Sequence, residues 1–422
     1  MTLSRTGLGL LLCAVTLMAQ TPPDSSRYYY LLSIRAYSEQ DFSTYLALTR
    51  KALTFAPDNY TLGYNLATAY ALNGQSALAL QELNKLVDKG LGLVAENDPD
   101  FDSLRNSAGF RALVKKIQRA KKPVRRSKTF AIIREKDLLP KGLTGDPATG
   151  NFYLGSFYKD KIVRIDPQGR VSDFIGEQQD GLGPVLGLKV DAAHHWLWAI
   201  SSCAMVNDRT PRQQLGMSYV YKFDLGDGKL LRKYALNRPR GHLLNDLTLD
   251  NLGNVYICDG FFPAVYRLDV QRDTLEKFID LRGFIHPNGI ALSDDDKVLY
   301  VAHANGILYI PLATRQISAL PYPENVLTAN CEGLKFHKGN LIGVQNFLNR
   351  VVLFKLNPSG DAIVKMKILE SQNPEFSIPT SGTLADNAYL FIANSQLNSF
   401  DQNGKLFPPE KLRDVVILKT KL

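Results

Sequence analysis

Six stretches of this chain open in the same way. "PKGLTGDPATGNFYLGS", "VLGLKVDAAHHWLWAISS", "LNDLTLDNLGNVYICDG", "PNGIALSDDDKVLYVAH", "CEGLKFHKGNLIGVQN" and "TSGTLADNAYLFIANS" each join an apolar strand, a turn rich in Asp, Asn or Gly, and a second apolar strand. A third strand then follows with a shared ending: "KIVRID", "YVYKFD", "AVYRLD", "GILYIP", "VVLFKLN" and "QLNSFD". A repeat of roughly 40 to 50 residues with about four short strands is the pattern of a β-propeller, in which each small sheet buries its faces against its neighbours. The chain is therefore expected to be mainly β, with a six-bladed propeller over residues 129–422. "KTFAIIRE" (residues 128–135) and "DVVILKTK" (residues 414–421) are strands left over at the two ends of this region. Together they should complete the sixth blade, closing the ring and removing the free sheet edges that invite aggregation.

Residues 27–118 carry a different period. Leu62, Leu66, Ala69 and Tyr70 form one helical stripe, Asn73-Gly74 breaks it, and Ala77, Leu80, Leu83, Leu86 and Val87 form the next. The preceding segment has a similar helix pair closed by Pro57. This resembles two tetratricopeptide repeats, at residues 27–58 and 59–91, followed by a capped closing helix. The small α-helical domain is expected to dock a protein partner or to serve as a structural pad.

Between the two regions, "RAKKPVRRSK" (residues 119–128) holds six basic residues and no acid, and reads as a solvated basic linker. It accounts for much of the formal charge of +9, so no nucleic-acid-binding surface is expected. Residues 1–20 read as a signal peptide, with Arg5 before the short apolar run "GLGLLLCAVTLMA". The protein is expected to be exported, periplasmic or secreted, with no integral membrane segment after signal cleavage. The remaining cysteines, Cys203, Cys258 and Cys331, are too few and too scattered for a disulfide framework, and no CxxC motif is present.

Consecutive propeller strands run up and down. Starts of first strands and ends of second strands therefore share one face at the central channel. The alignment puts Lys141, Leu186, Asn245, Asn288, Glu332 and Ser381 in one ring there. A second ring holds Ser156, Ser201, Asp259, His303, Gln345 with Asn346, and Asn394. Converging oxygens from Asn245, Asn288, Glu332 and Asp259 are the donor type that Ca²⁺ or another divalent cation takes. Phe157, Tyr158, Phe261, Phe262 and Phe347 follow the second strands and offer an apolar rim. "CAMVNDRTPRQQLGM" (residues 203–217) is a long insertion in the second blade and a candidate lid. His242, His286 and His303 approach the same face.

The blocks resemble the senescence marker protein / gluconolactonase family (regucalcin-like), six-bladed calcium-dependent lactonases. The resemblance covers residues 129–422. It implies metal ligation by an Asn in "PNG" (Asn288), by an acid in a later blade (Glu332 in "CEG", where Asp is usual) and by a first-blade Glu. An Asn in "ND" (Asn245) would join the site or bind substrate. The first-blade Glu falls on Lys141. A charged Lys has three donors and no acceptor, so it cannot ligate a metal. Either Lys141 swings away and leaves a weaker cation site, or its ammonium takes the ion's place and pairs with Glu332. In the second case no cofactor is expected.

The function expected from this resemblance is an exported lactonase- or esterase-like hydrolase, or a degenerate relative, with a small-molecule ligand at the channel mouth. Glu332, Asn288 and Asn245 would hold the cation, and Asp259 or His303 would be the base. Lys141, Asn245, Ser381, Asn346, Asn394, Phe261 and Phe262 would contact substrate. The alternatives are a non-catalytic ligand- or protein-binding propeller with a helical docking module, and a scaffold that joins proteins.

Overall fold

The computed structural model describes residues 25–204 and 208–422, without the side chains of residues 237–240. The expected signal peptide lies outside the described residues. The chain divides into two compact units with the boundary between Ala120 and Lys121.

The first unit is helical. Helices α1 (Ser25–Ser38), α2 (Phe42–Phe55), α3 (Tyr60–Leu72), α4 (Ser76–Asp88) and α5 (Ala108–Ala120) follow one another, each packed on the next. Asp41 caps α2 by accepting from the Thr44 N–H, and Asn59 caps α3 by accepting from the Leu62 N–H. Tyr45, Leu66, Leu83, Phe101, Phe110 and Ile117 meet in one core. The acids between α4 and α5 bind tyrosines. Asp98 accepts from the Tyr64 hydroxyl at 2.7 Å and Asp100 from the Tyr37 hydroxyl at 2.9 Å. Among the described residues no helix is long and apolar enough to cross a membrane.

The second unit is a six-bladed β-propeller of six four-stranded antiparallel sheets. The first strands of blades 1 to 6 are Pro140–Gly145, Val185–Asp191, Leu244–Leu249, Ile290–Leu292, Glu332–His337 and Gly382–Ala385. Apolar side chains interlock between adjacent sheets. Tyr153 and Ile162 of blade 1, for example, meet Leu188, Leu197, Tyr221 and Phe223 of blade 2. The ring closes in blade 6, where Val415–Lys421 is the third strand and Lys128–Ile133 pairs with it as the outermost. The two leftover end strands thus complete one sheet, as the sequence suggested.

One assignment is corrected. "QLNSFD" is not the third strand of blade 6, because residues 396–401 lie outside its sheet. The run at 415–421 is β-branched and continuous, and Val415 and Ile417 are fully buried. It fills the inner position that the more polar stretch cannot. The basic side chains Arg119, Lys122, Arg125, Arg126 and Lys128 are exposed, while the backbone between them is held in place. Val124 forms a bridge with Ser371, and the fully buried Glu370 carboxylate accepts from the Arg126 N–H, the Ser127 N–H and the Ser127 hydroxyl at 2.7–2.9 Å. A buried carboxylate needs such donors, and the segment supplies them. All three described cysteines are free and buried.

Candidate functional site

The first strands of blades 1, 2 and 3 each carry a bulge at the same place. The ladder skips from Pro140 to Gly142, from Val185 to Gly187 and from Leu244 to Asp246. The residues left out of register are Lys141, Leu186 and Asn245, three members of the expected ring. A bulge frees a side chain from the ladder and re-aims it. The next position is Gly in five blades because the strands crowd together there. A Cβ on Gly142 would sit 3.0 Å from the Leu186 carbonyl oxygen. On Gly333, at φ +55°, it would sit 2.6 Å from the Ser381 Cα.

The ring's two charged members meet. The Lys141 ammonium lies 3.5 Å from one Glu332 carboxylate oxygen, with the two side chains 6% and 15% exposed. The other oxygen accepts from the Asn346 amide at 3.0 Å. At 3.5 Å the Lys141 contact is an ion pair rather than a tight hydrogen bond. Asn346 is itself held by the Phe347 N–H, which donates to its amide oxygen at 2.7 Å. Beside Glu332 lies a cavity of about 70 Å³ between blades 4 and 5, lined by His286, Asn288, His303, Asn330, Glu332 and Asn346. The volume suits the polar head of a ligand rather than a whole drug-sized molecule. Across the mouth, Phe157, Leu186 and Leu243 form an apolar cluster with Phe261, Leu397 and Phe400. One half of the mouth is therefore polar and the other apolar.

Of the oxygens expected to hold a cation, the Asn245 amide oxygen is buried with no hydrogen-bond partner. Such an orphaned acceptor suits a donor or an ion. The rest of the set does not favour a divalent ion. Glu332 is the only carboxylate in the first ring and already faces an ammonium. Among the described residues no cluster of three or more His, Cys, Asp or Glu could hold a metal.

The two expected bases have other duties. Asp259 is fully buried. One of its oxygens accepts from the backbone N–H groups of Leu243, Phe261 and Phe262 at 3.0–3.1 Å, and the other takes the His242 Nδ1 contact. It organises the loop after its own strand and is corrected from base to structural anchor, since a carboxylate with four donors has little left to accept a substrate proton. His303 does line the cavity. Burial pushes its pKa down to about 4, so the ring is neutral at pH 7. Its Nδ1 accepts from the Asn305 N–H at 3.4 Å, which puts the ring proton on Nε2. The lowered pKa makes His303 a weak base, and its neutral ring keeps an Nε2–H to donate.

The expected substrate contacts divide in the same way. Asn346 and Phe261 belong to the mouth, the latter with its ring 5.9 Å from His286. Phe262 is 43% exposed and packs against His242 instead. Ser381 is buried against Gly333 in the first strand of blade 5. Asn394 is corrected outright. It is fully buried, donates to the Asp414 carbonyl at 2.8 Å and accepts from the Val416 N–H at 2.7 Å, which fixes the returning strand of blade 6. Of the candidate lid, residues 205–207 lie outside the described residues. Its base is closed by reciprocal backbone bonds from the Cys203 N–H to the Met217 carbonyl and from the Gly216 N–H to the Cys203 carbonyl. The guanidinium of Arg209 lies 5.5 Å from the centre of the Tyr158 ring.

Sequence reasoning missed a second charged layer. Lys189, Asp246 and Lys335 lie just beyond the first ring along the inner strands. The signal was available, because Asp246 stands where the other five first strands carry Gly.

The fold and site define the class: a six-bladed β-propeller with a half-polar channel mouth, carried on a chain with a helical first unit. No family model matches the sequence, and no curated protein matches it significantly. Solved structures of similar fold include a luciferin-regenerating enzyme, at 14% identity and TM-score 0.49 over 71% of this chain and 96% of that one. Regucalcin, a calcium-binding protein from Agrobacterium tumefaciens, matches at 13% and 0.49 over 69% and 93%. A gluconolactonase from Xanthomonas campestris matches at 14% and 0.46 over 71% and 94%. At these identities the likeness concerns the fold alone.

Proposed function

We propose that the propeller mouth binds a small amphipathic molecule with a carbonyl or carboxylate head, without a divalent cation. The protein is then a degenerate relative of the lactonase-type propellers whose motifs it resembles. The observation that carries this reading is the Lys141–Glu332 pair at 3.5 Å. The ammonium stands where the resemblance puts a metal-binding Glu, and it would repel a divalent ion. Lys141 has three donors, and Glu332 is its one partner among the described residues. The remaining donors, with the His303 Nε2–H, suit a ligand oxygen. The apolar cluster of Phe157, Leu186 and Leu243 suits its tail.

Hydrolysis is the second reading, favoured by Glu332. It is the carboxylate beside the cavity and the remaining group that could activate water against a carbonyl polarised by Lys141. Export rests on residues 1–20, and protein docking by the helical unit on its resemblance to tetratricopeptide repeats.

The test uses the full chain without residues 1–20. Bound metal is measured, and a panel of lactones and esters is assayed for binding by calorimetry and for turnover, with calcium and with chelator. Binding that survives chelator and is lost in Lys141→Met supports the reading. Chelator-resistant turnover lost in Glu332→Gln makes the protein a metal-free hydrolase. Tight stoichiometric calcium, or no binding across the panel, overturns the proposal.

A further inference from the structure

The cavity beside Glu332 is walled by polar groups that the fold leaves unused. The side chains of Asn288 and Asn330, the His286 ring and the His303 Nε2 all line it, and none of them makes a hydrogen bond with any described residue. Glu332 is the one acid on its wall among the described residues. A carboxylate has room for about four donors. This one meets two, the Lys141 ammonium at 3.5 Å and the Asn346 amide at 3.0 Å. His303 is buried and neutral, and its Nδ1 already accepts from the Asn305 N–H, so the proton it offers is on Nε2. The wall therefore presents an unfilled acceptor and an unfilled donor around a space of about 70 Å³, room for a head group of a few heavy atoms. At its edge Phe261, whose ring is 5.9 Å from that of His286, joins this wall to the apolar cluster of Phe157, Leu186 and Leu243.

A donor or acceptor left unpartnered is costly once a ligand expels its water, so the ligand that fits supplies both complements. We infer that the head group is a neutral carboxamide with at least one N–H, carried on an apolar substituent. Its N–H donates to Glu332 and its carbonyl oxygen accepts from the His303 Nε2–H. Asn288 and Asn330 stand on the same wall, each able to donate or accept. This rests on the reading of the mouth as the ligand site, and narrows it. A carboxylate head would set a second negative charge beside Glu332, and Lys141 does not line the cavity to offset it. An ester or lactone has no N–H and would leave the Glu332 oxygens unmet. A polyol would lay hydroxyls against the apolar half of the mouth.

Four probes with one tail separate these heads: phenylacetamide, N,N-dimethylphenylacetamide, methyl phenylacetate and phenylacetate. Titration calorimetry on the full chain without residues 1–20 should show phenylacetamide binding about tenfold more tightly than any of the other three. In Glu332→Gln the like charge is gone, so the preference for phenylacetamide over phenylacetate should disappear. If that variant does not fold, Asn288→Ala takes its place, because it removes a side chain with no hydrogen bond in the fold. It should weaken phenylacetamide binding by about threefold, and unchanged binding counts against the inference. Phenylacetate, the ester or the dimethylamide binding as tightly as phenylacetamide overturns the inference and leaves the mouth standing as the ligand site. A preference that Glu332→Gln leaves unchanged also overturns it. If none of the four binds, the inference fails, and the panel of lactones and esters decides the mouth separately.

Discussion

Replacing Lys141 by Glu should convert a self-contained ion pair into a cation site. At 3.5 Å and an effective dielectric of about 20, two unit charges interact by about 5 kcal/mol. The wild-type pair gains less, because both groups are mostly withdrawn from water. Removing one partner of such a pair nonetheless costs about 3–5 kcal/mol. The substitution also sets two carboxylates against each other, so the metal-free variant should fall at the upper end of that range. For a propeller of this size, each 1 kcal/mol moves the melting temperature by about 2 °C. The variant should therefore melt roughly 8–10 °C below the wild-type protein in chelator. Calcium at a hundred times its dissociation constant should return about 2.7 kcal/mol, or about 5 °C. The wild-type melting temperature should not respond to calcium. Thermal unfolding with chelator and with calcium, paired with calorimetric titration, measures both effects. The reasoning is refuted if Lys141→Glu is as stable as wild type in chelator. It is equally refuted if calcium stabilises the two proteins alike.

Three further outcomes are expected. Asp259→Ala should destabilise the propeller by about 3 kcal/mol, because it orphans the buried Leu243 N–H, the half-buried N–H groups of Phe261 and Phe262, and His242. Chemical denaturation reads this, and a variant of wild-type stability that has lost only ligand turnover would restore Asp259 as a base. The His303 pKa is lowered in the folded protein, to about 4 from 6.5. The unfolded chain therefore takes up the proton first, and stability should decline as pH falls from about 6.5 towards 4. His303→Gln should flatten that part of the stability profile, and an identical slope in the variant would contradict the neutral, buried ring. Finally, Glu370→Ala removes the acceptor of three bonds from Arg126 and Ser127. Limited trypsinolysis should then cut faster after Arg125 and Arg126, and unchanged cleavage would show that the segment is held by other contacts.

The propeller was legible in the chain because its repeats are local. Each block carries its own alternating strands and turn, and the alignment of six blocks fixes which residues share a ring. The closure in blade 6 was legible for the same reason, since "KTFAIIRE" and "DVVILKTK" had nowhere else to pair. Even the unusual place of Lys141 is a sequence fact. What those ring residues do was decided by tertiary structure. Asp259 and Asn394 occupy aligned positions and are both polar, yet one anchors the loop beside His242 and the other holds the strand Val415–Lys421. Repeat alignment gives an address but not the donors that surround it. The same holds for the ion pairs, because Lys141 and Glu332 are brought together from blades 1 and 5, and Asp246 and Lys335 from blades 3 and 5. Local sequence sets strand, turn and bulge. Only closure of the ring sets the distance between charges on blades that are not neighbours, and that distance determines whether an ammonium replaces a metal ion or merely lies near its place.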